Sequence, residues 1–309
     1  MGAIGAPGGP TDGAGMTAAP PDVGPLQVHA EVVLRRRVGA YHHLTLVARG
    51  IAEQVLPGQF VALAVGGPDS SMLLRRAFSV YRARPSGAHG GTVEIVFAEA
   101  GRGTRWLARV ESGDLVDTVG PLGRPFWLPE TPGAAVLVGG GYGIAPMFTL
   151  ADSIAATGGK AHFVLGAGSA DRLFGVVEAR RRGGTVVVTT DDGSAGTRGL
   201  VTDVLPDVLM STGATTVYAC GPMGMLAAAN RVAATTGVSC QVLVEESMAC
   251  GIGVCMTCVL PIIGEDGVTR MTRTCTDGPV FDGSAVRFTD VGTVPADTFG
   301  APIVHAGGS

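Results

Sequence analysis

Four cysteines near the C-terminal end, Cys250, Cys255, Cys258 and Cys275, lie in the segment ACGIGVCMTCVLPIIGEDGVTRMTRTC, spaced C-x4-C-x2-C with the fourth further on. This spacing requires one short loop to gather three thiolates and a later element to deliver the fourth, so the fold of this region is tied to a metal centre. The pattern is that of a [2Fe-2S] site, and the plant-type spacing carries single electrons at about −400 mV. Gly251 and Gly253 let the backbone curl around such a centre and leave amide N–H groups free to point at sulfur. A structural four-thiolate zinc site needs the same ligand count. Zinc usually takes its cysteines from two separate C-x2-C knuckles, whereas here three ligands share one glycine-rich loop.

Six cysteines in 309 residues, four of them clustered, argue for metal binding in a reducing compartment, by default the cytoplasm, over a secreted disulfide framework. The net charge of −4 marks no nucleic-acid binder. Residues 134–151 are apolar enough to raise the question of a membrane span, but Gly139-Gly140-Gly141-Tyr142-Gly143 and Pro146 read as a strand, a tight loop and a helix start.

The rest of the chain changes rhythm twice. Residues 1–25 are rich in Gly, Ala and Pro, lack a basic start and an apolar core, and read as a disordered tail, with Met16 a possible true start. Over 26–130, short β-type runs such as YHHLTLVA, QFVALAV, AFSVYRA and GTVEIVFAEA alternate with Gly/Pro turns, which predicts an antiparallel barrel. Over 131–240 the order becomes strand, helix, strand (AAVLVGG, PMFTLADSIAAT, KAHFVLGAG, TVVVTTDD, TTVYACG), the pattern of a doubly wound parallel sheet. Residues 241–309 hold the cysteine loop and a tail poor in strands. The fold class expected is therefore all-β plus α/β: a barrel, a nucleotide-binding domain and a small cluster domain.

Several stretches carry ligand-binding chemistry. Arg76-Ala77-Phe78-Ser79 sits on a barrel strand, where alternation sends Arg76 and Phe78 to one side and Ser79 to the other. An arginine beside an aromatic suits a dinucleotide pyrophosphate and a flat ring, although the same four residues also make ordinary strand surface. Gly101-Arg102-Gly103-Thr104 precedes a short helix, TRWLARV, that Thr104 is placed to cap, with free N–H groups facing a phosphate. Gly139, Gly140, Gly141 and Gly143 follow a strand and open a helix, the setting of a phosphate-cradling loop, or of a tight turn without a ligand. Cys220-Gly221-Pro222 ends a later strand at the carboxyl edge where open α/β sheets bind ligands. Cys220 reads as a core thiol or a residue beside a bound ring; no adjacent His or Lys activates it as a nucleophile. Cys240 reads as core.

Taken in order, RAFS, GRGT, GPLG, GGGYGIAP, YACGPMGM and EESMACGIGVCMTC…RTCTDGPVFDG resemble the electron-transfer subunit of two-subunit, NAD-linked dihydroorotate dehydrogenases, a branch of the ferredoxin–NADP reductase superfamily, over residues 27–290. The run ACGIGVCMTC followed by CTDGPVFDG is its most specific part. The resemblance implies FAD on the barrel, with Arg76 toward the pyrophosphate, Phe78 against the isoalloxazine, Ser79 near flavin N5, and Gly103 and Thr104 at the phosphates. It implies NAD(H) over Gly139, Gly140, Gly141 and Gly143, with Cys220, Gly221 and Pro222 near the nicotinamide. It places the cluster, on Cys250, Cys255, Cys258 and Cys275, facing an FMN-containing dihydroorotate dehydrogenase catalytic subunit in a hetero-oligomer serving pyrimidine biosynthesis. Superfamily members often carry Tyr where this chain has Phe78, which keeps the stacking face and loses a hydroxyl.

A physical argument joins the three groups. Nicotinamide exchanges two electrons as hydride and the cluster exchanges one, so a flavin between them is the converter, and the protein's task is placement. No side chain is required as acid or base, and none of the six histidines lies in these motifs. A diaphorase-like subunit serving another dehydrogenase, hydrogenase or ferredoxin has the same cofactors. Asp191 and Asp192, ending TVVVTT, are placed to repel the extra phosphate of NADP, while Arg172 and Arg198 argue the other way.

Overall fold

The computed structural model describes residues 24–67, 70–87 and 90–301. The tail expected over residues 1–25 therefore lies, up to residue 23, outside the described residues.

Strands β1 (Leu26–Val38), β2 (Tyr41–Val47), β3 (Phe60–Leu63), β4 (Arg76–Arg84), β5 (Thr92–Phe97) and β6 (Leu115–Leu122) close a barrel in the order β1-β2-β5-β4-β3-β6. Every pairing is antiparallel. The period-2 pattern explains the closure: Leu44 and Leu46, Val61 and Leu63, and Val93 and Ile95 alternate inward and fill the interior. Helix α1 (Arg102–Leu107) adds Leu107 to that core.

The second layer is a seven-stranded sheet in the order β10-β9-β8-β7-β11-β12-β15. Strands β7 (Ala134–Gly140), β8 (Lys160–Ala167), β9 (Val186–Thr190), β10 (Thr197–Arg198), β11 (Thr216–Cys220) and β12 (Ser239–Leu243) run parallel, and β15 (Val280–Asp282) is antiparallel to β12. Helices α2 (Met147–Ala156) and α3 (Val176–Arg181) pack on one face, and α4 (Val201–Thr212) and α5 (Met223–Thr236) on the other. The barrel docks on the first face, where Tyr41, Tyr81 and Val96 join the core built on Phe148 and Phe163. Glu178 of α3 pins it there: it accepts from the Tyr81 hydroxyl and the Arg82 guanidinium of β4, while Arg182 reaches Glu178 at 3.2 Å and Asp152 at 2.9 Å.

The apolar run at 134–151 is β7, a 3-10 turn (Gly141–Ile144) and α2, and no helix among the described residues is long and apolar enough to cross a membrane. Two boundaries differ from the sequence expectation. Strand β12 crosses residue 240, and the region expected to be poor in strands contains the hairpin β13 (Val259–Ile263) and β14 (Thr269–Arg273) as well as β15, which completes the nucleotide-type sheet. The physical reason is that an antiparallel edge strand three residues long carries too little periodicity to be read from sequence.

Candidate functional site

Strand order reverses at β7, with β8 on one side and β11 on the other, so the loops leaving β7 and β11 part and open a crevice at the carboxyl edge. A cleft of about 370 Å³ occupies it, lined by Gly140 and Gly141 where β7 ends, Pro222 of the loop after β11 and Gly224 and Met225 at the start of α5, with Tyr41, Tyr142, Gly166, Gly168, Arg172, Thr189, Asp191 and Thr202 around them. Of the glycines singled out in the sequence, Gly140 and Gly141 line this cleft. Gly139 and Gly143 lie behind it: a Cβ on Gly139 would meet Ile144 at 2.4 Å, and one on Gly143 would meet the Cys220 carbonyl oxygen at 2.8 Å. The loop enters a 3-10 turn before α2 begins, a detour the sequence did not signal. Cys220 is fully buried, with Gly221 beside it, and neither lines a cleft; burial, and then Glu245, push the Cys220 thiol well above its ordinary range.

The cleft contains an orphan. The Thr189 hydroxyl is buried and has no hydrogen-bond partner among the described residues, a donor and acceptor left for a bound molecule. Asp191 lines the cleft, whereas Asp192 is committed to its own turn, accepting from the Ser194 amide at 2.9 Å and hydroxyl at 2.6 Å. Arg172 is also on the wall, and Arg198 is not.

A second cleft, of about 540 Å³, opens between the barrel and the segment that follows β12. Arg76, Ala77, Phe78 and Ser79 all line it, together with Thr104, Tyr142, Pro146 and residues 243–248. The expected separation of Ser79 from Arg76 and Phe78 is relaxed next to a bulge at Val80/Arg82, where the strand twists away from strict alternation. Phe78 is 8% exposed, packs against Phe97 at 5.6 Å and shows the cleft only its rim. The Arg76 guanidinium donates to the carbonyls of Leu74 (2.9 Å) and Arg75 (3.2 Å) and makes no ion pair among the described residues, so its charge faces the cleft uncompensated. A Cβ on Gly103 would meet Val65 Cγ2 at 2.9 Å and lie in ordinary contact with Arg76 Nε at 3.5 Å, which puts the two sequence motifs in one corner. Helix α1 begins at Arg102, earlier than expected. Thr104 is therefore its third residue, and its hydroxyl accepts from the amides of Ala100 and Gly101 at 2.9 and 3.0 Å.

The cysteines fall into two pairs. Cys258 and Cys275 are buried against Phe60, Ala62 and Leu122 of the barrel, while Cys250 is half-buried and Cys255 exposed. Hydrogen bonds from Thr257 and then Cys250 pull the Cys255 thiol down to about 6, and burial and then Cys258 push Cys275 up to about 12. Among the described residues no three His, Cys, Asp or Glu side chains converge on a single-ion cage. The thiols meet in two pairs, Cys250 with Cys255 and Cys258 with Cys275. The loop is shaped for sulfur: Gly251 and Gly253 hold φ of +73° and +83°, Met256 is the one non-glycine at positive φ among the described residues, and the Val254 amide donates to Cys250 Sγ at 3.3 Å.

Residues the sequence reading passed over include Tyr41, Gly166, Thr189, Glu245 and Met248, all on cleft walls. Glu245 lines the second cleft and is exposed there, and desolvation by the protein around it raises its carboxyl. Their one sequence signal is position at a strand's carboxyl end, which Thr189 and Glu245 share.

Residues 137–231 match the oxidoreductase NAD-binding domain, and residues 245–287 the iron-sulfur cluster binding domain of dihydroorotate dehydrogenase B. The dihydroorotate dehydrogenase B (NAD(+)) electron transfer subunit of Listeria monocytogenes serotype 4a is 35% identical over 265 residues, 83% of this chain and 97% of that one. Its counterpart from Bacillus caldolyticus is 38% identical over 242 residues, 78% and 90%. A solved chain of an NADH-dependent reduced ferredoxin-NADP oxidoreductase, studied for flavin-based electron bifurcation, superposes with a TM-score of 0.74 at 29% identity, covering 85% of this chain and 91% of that one.

Proposed function

The chain belongs to the family of dihydroorotate dehydrogenase B electron transfer subunits, and we propose from that premise that it carries electrons between a dihydroorotate-oxidising catalytic subunit and NAD(H). When bound, FAD exchanges hydride with nicotinamide and single electrons with a [2Fe-2S] cluster. What the chain supplies is placement.

One observation carries the reading. Phe60, Ala77 and Met248 line the second cleft and also pack against the buried Cys258 and Cys275. One apolar cluster thus borders the cleft and holds two cysteines of the loop, an arrangement that would keep two redox groups close. On the other side, the second cleft meets the first at Tyr142.

The residues fit the three groups. Arg76 offers an unpaired guanidinium for the flavin pyrophosphate, Phe78 and Ser79 offer an aromatic rim and a hydroxyl for the ring, and Gly103 and Thr104 shape the corner where phosphates would lie. Gly140, Gly141 and Pro222 suit the nicotinamide nucleotide directly; Gly139, Gly143, Cys220 and Gly221 support it from behind by holding the two loops in close contact. Thr189 and Asp191 offer hydrogen-bonding partners for its sugar. Cys250 and Cys255 would hold one iron and Cys258 and Cys275 the other. Ile252, Val254 and Met256, 54%, 75% and 51% exposed, form an apolar rim around the exposed ligand, suited to docking the catalytic subunit. The proposed location is the cytoplasm, in keeping with six cysteines that form no disulfide.

The test uses the anaerobically purified chain. It should contain FAD, two irons and two sulfides, reduce ferricyanide with NADH, and leave dihydroorotate untouched until the catalytic subunit is added. Turnover of dihydroorotate by this chain alone, or equal service to an unrelated ferredoxin and none to the catalytic subunit, would refute the proposal.

A further inference from the structure

Arg273 ends strand β14 and joins the two halves of the cysteine region. On the backbone it pairs with Val259, the residue after Cys258, and the next residue, Thr274, donates its amide to the Cys258 carbonyl at 3.0 Å. The strand end is thus built into the half that holds Cys258 and Cys275. The Arg273 side chain reaches the other half: Nη1 donates to the Gly253 carbonyl at 3.0 Å, midway between Cys250 and Cys255. The same glycine turns its amide to the Cys275 thiol. Gly253 is fitted to this place, since a Cβ there would meet Thr276 Cγ2 at 2.7 Å and Arg273 Nη1 at 3.4 Å. Among the described residues the one carboxylate in ion-pair reach of Arg273 is Asp277, 3.5 Å from Nε, with the two side chains 40% and 36% exposed. Arg270 of the same strand is committed to Asp266 at 2.7 Å.

We propose that Arg273 raises the reduction potential of the group held by the cysteine loop: its positive charge, clamped to the loop through the Gly253 carbonyl, favours the reduced state, and Asp277 offsets that charge in part. The inference rests on the assignment of the loop to a [2Fe-2S] cluster. A cluster held by four thiolates is anionic, and taking up one electron from a flavin makes it more so. A guanidinium beside the loop therefore stabilises the product of that step more than the reactant. Arg273 itself exchanges neither electron nor proton, because a guanidinium keeps its charge in proteins. Its planar fork is held at Nη1 by Gly253 and at Nε by Asp277, so the charge stays at a fixed distance from the loop in both oxidation states. Arg273 and Asp277 are positioning residues of opposite sign: one draws the electron onto the loop, and the other keeps that pull from holding it there.

Anaerobic redox titration of the flavin- and cluster-loaded chain, followed by electron paramagnetic resonance of the reduced cluster, tests this without turnover. Arg273→Met should disfavour reduction by about 3- to 10-fold, the upper end being about 59 mV for one electron. Arg273→Lys, which keeps the charge, should bring the reduction equilibrium back to within about twofold of the unaltered chain. Asp277→Asn should favour reduction by about 2- to 5-fold. Shifts of opposite sign are the discriminating result, because a loop that had merely loosened would respond to both changes in the same direction. If Arg273→Met does not retain iron and sulfide, Asp277→Asn decides: a raised potential supports the proposal and an unchanged one overturns it. Shifts of the same sign in Arg273→Met and Asp277→Asn, or a lysine variant that titrates with the methionine one, also overturn it. An unaltered chain without iron and sulfide would remove the cluster assignment itself, and the role of Arg273 with it.

Discussion

Replacing Gly143 by alanine tests whether close approach of two backbones, not only the presence of glycine, builds the nucleotide cleft. A Cβ at this position would lie 2.8 Å from the Cys220 carbonyl oxygen, 3.1 Å from its carbon and 3.1 Å from Gly221 Cα. All three are backbone atoms, which cannot step aside as a flexible side chain can. The first contact is about 0.6 Å shorter than ordinary van der Waals contact, so the loop after β7 must draw away from the loop after β11. Inserting a methyl group where there is no room costs about 1–3 kcal/mol. If the strain is relieved by spreading the loops, that cost falls on the nucleotide, and kcat/KM for NADH with ferricyanide drops by about 5- to 150-fold. The new Cβ meets neither a barrel strand nor the cysteine loop, so flavin, iron and sulfide content should remain that of the unaltered chain. Gly133→Ala is the matched control. Its Cβ would meet only the Thr215 hydroxyl, at 3.4 Å, and no change is expected. A kcat/KM for Gly143→Ala within twofold of the unaltered value, with full flavin and iron content, would refute the argument.

Cys258→Ser should abolish iron and sulfide binding, because a hydroxyl is a poor iron ligand, while sparing flavin and ferricyanide reduction by NADH and stopping transfer to the catalytic subunit; a full mixed rate would count against the route through the cysteine loop. The chain should prefer NADH to NADPH by about 10-fold or more in kcat/KM, Asp191→Asn should reduce that preference by about 10-fold, and Asp192→Asn should not, since Ser194 already holds its carboxylate. Glu178→Gln leaves Arg82 without its carboxylate and Arg182 with Asp152 alone where barrel and sheet meet, in pairs 18–28% exposed, and should lower stability to urea by about 1–3 kcal/mol, between the worth of a surface and a buried pair. For Asp117, burial raises the carboxyl, but the hydrogen bonds from Arg75 and Gln27 outweigh it and hold the group below its ordinary value. A depressed carboxyl stabilises the fold above its unfolded pKa and loses that contribution as pH falls through the folded one. Arg75→Met should therefore be destabilised by about 0.5 kcal/mol at pH 6, and the difference from the unaltered chain should shrink as pH falls through and below the ordinary carboxylate range in urea melts.

The barrel and the parallel sheet were legible in the sequence because their strands repeat a long-enough pattern: Leu44/Leu46 and Val93/Ile95 announce a half-buried strand, and AAVLVGG followed by an amphipathic run announces strand and helix. The cysteine spacing was legible because ligand chemistry fixes it. What escaped was whatever depends on distant segments meeting. Thr189 reads as an ordinary strand residue, and becomes an unpartnered hydroxyl in a cleft only because Gly166 on the neighbouring strand leaves space beside it. Gly139 and Gly143 read as cradle residues, yet their bare faces turn toward Ile144 and Cys220, and serve packing. Tyr142 stands in the glycine run with no sequence signal of its own. Its place at the meeting of two clefts follows from how the barrel docks on the sheet through Tyr41, Tyr81 and Glu178, and no local pattern encodes that docking.

The order of the chain also explains why the cysteine loop lies beside the flavin cleft. Strand β12 ends at Leu243, on the same carboxyl edge where β7 and β11 end. The chain leaving that edge continues as residues 243–248, which line the second cleft. It returns as β15, antiparallel to β12, and the Val244 amide donates to the Pro279 carbonyl at 2.9 Å. Everything between, including Cys250, Cys255, Cys258 and Cys275, is therefore an excursion tied at both ends to one corner of the sheet. Met248 is two residues from Cys250, so the cleft wall and the first cysteine of the loop are separated by less than one turn of loop. The burial of Cys258 and Cys275 against Phe60 and Leu122 then fixes the excursion to the barrel. Short distance between the two redox sites is thus a consequence of connectivity before it is one of packing, and Met248→Ala should disturb the rate of electron passage to the cysteine loop more than it disturbs flavin binding, which stopped-flow reduction of the cluster would register.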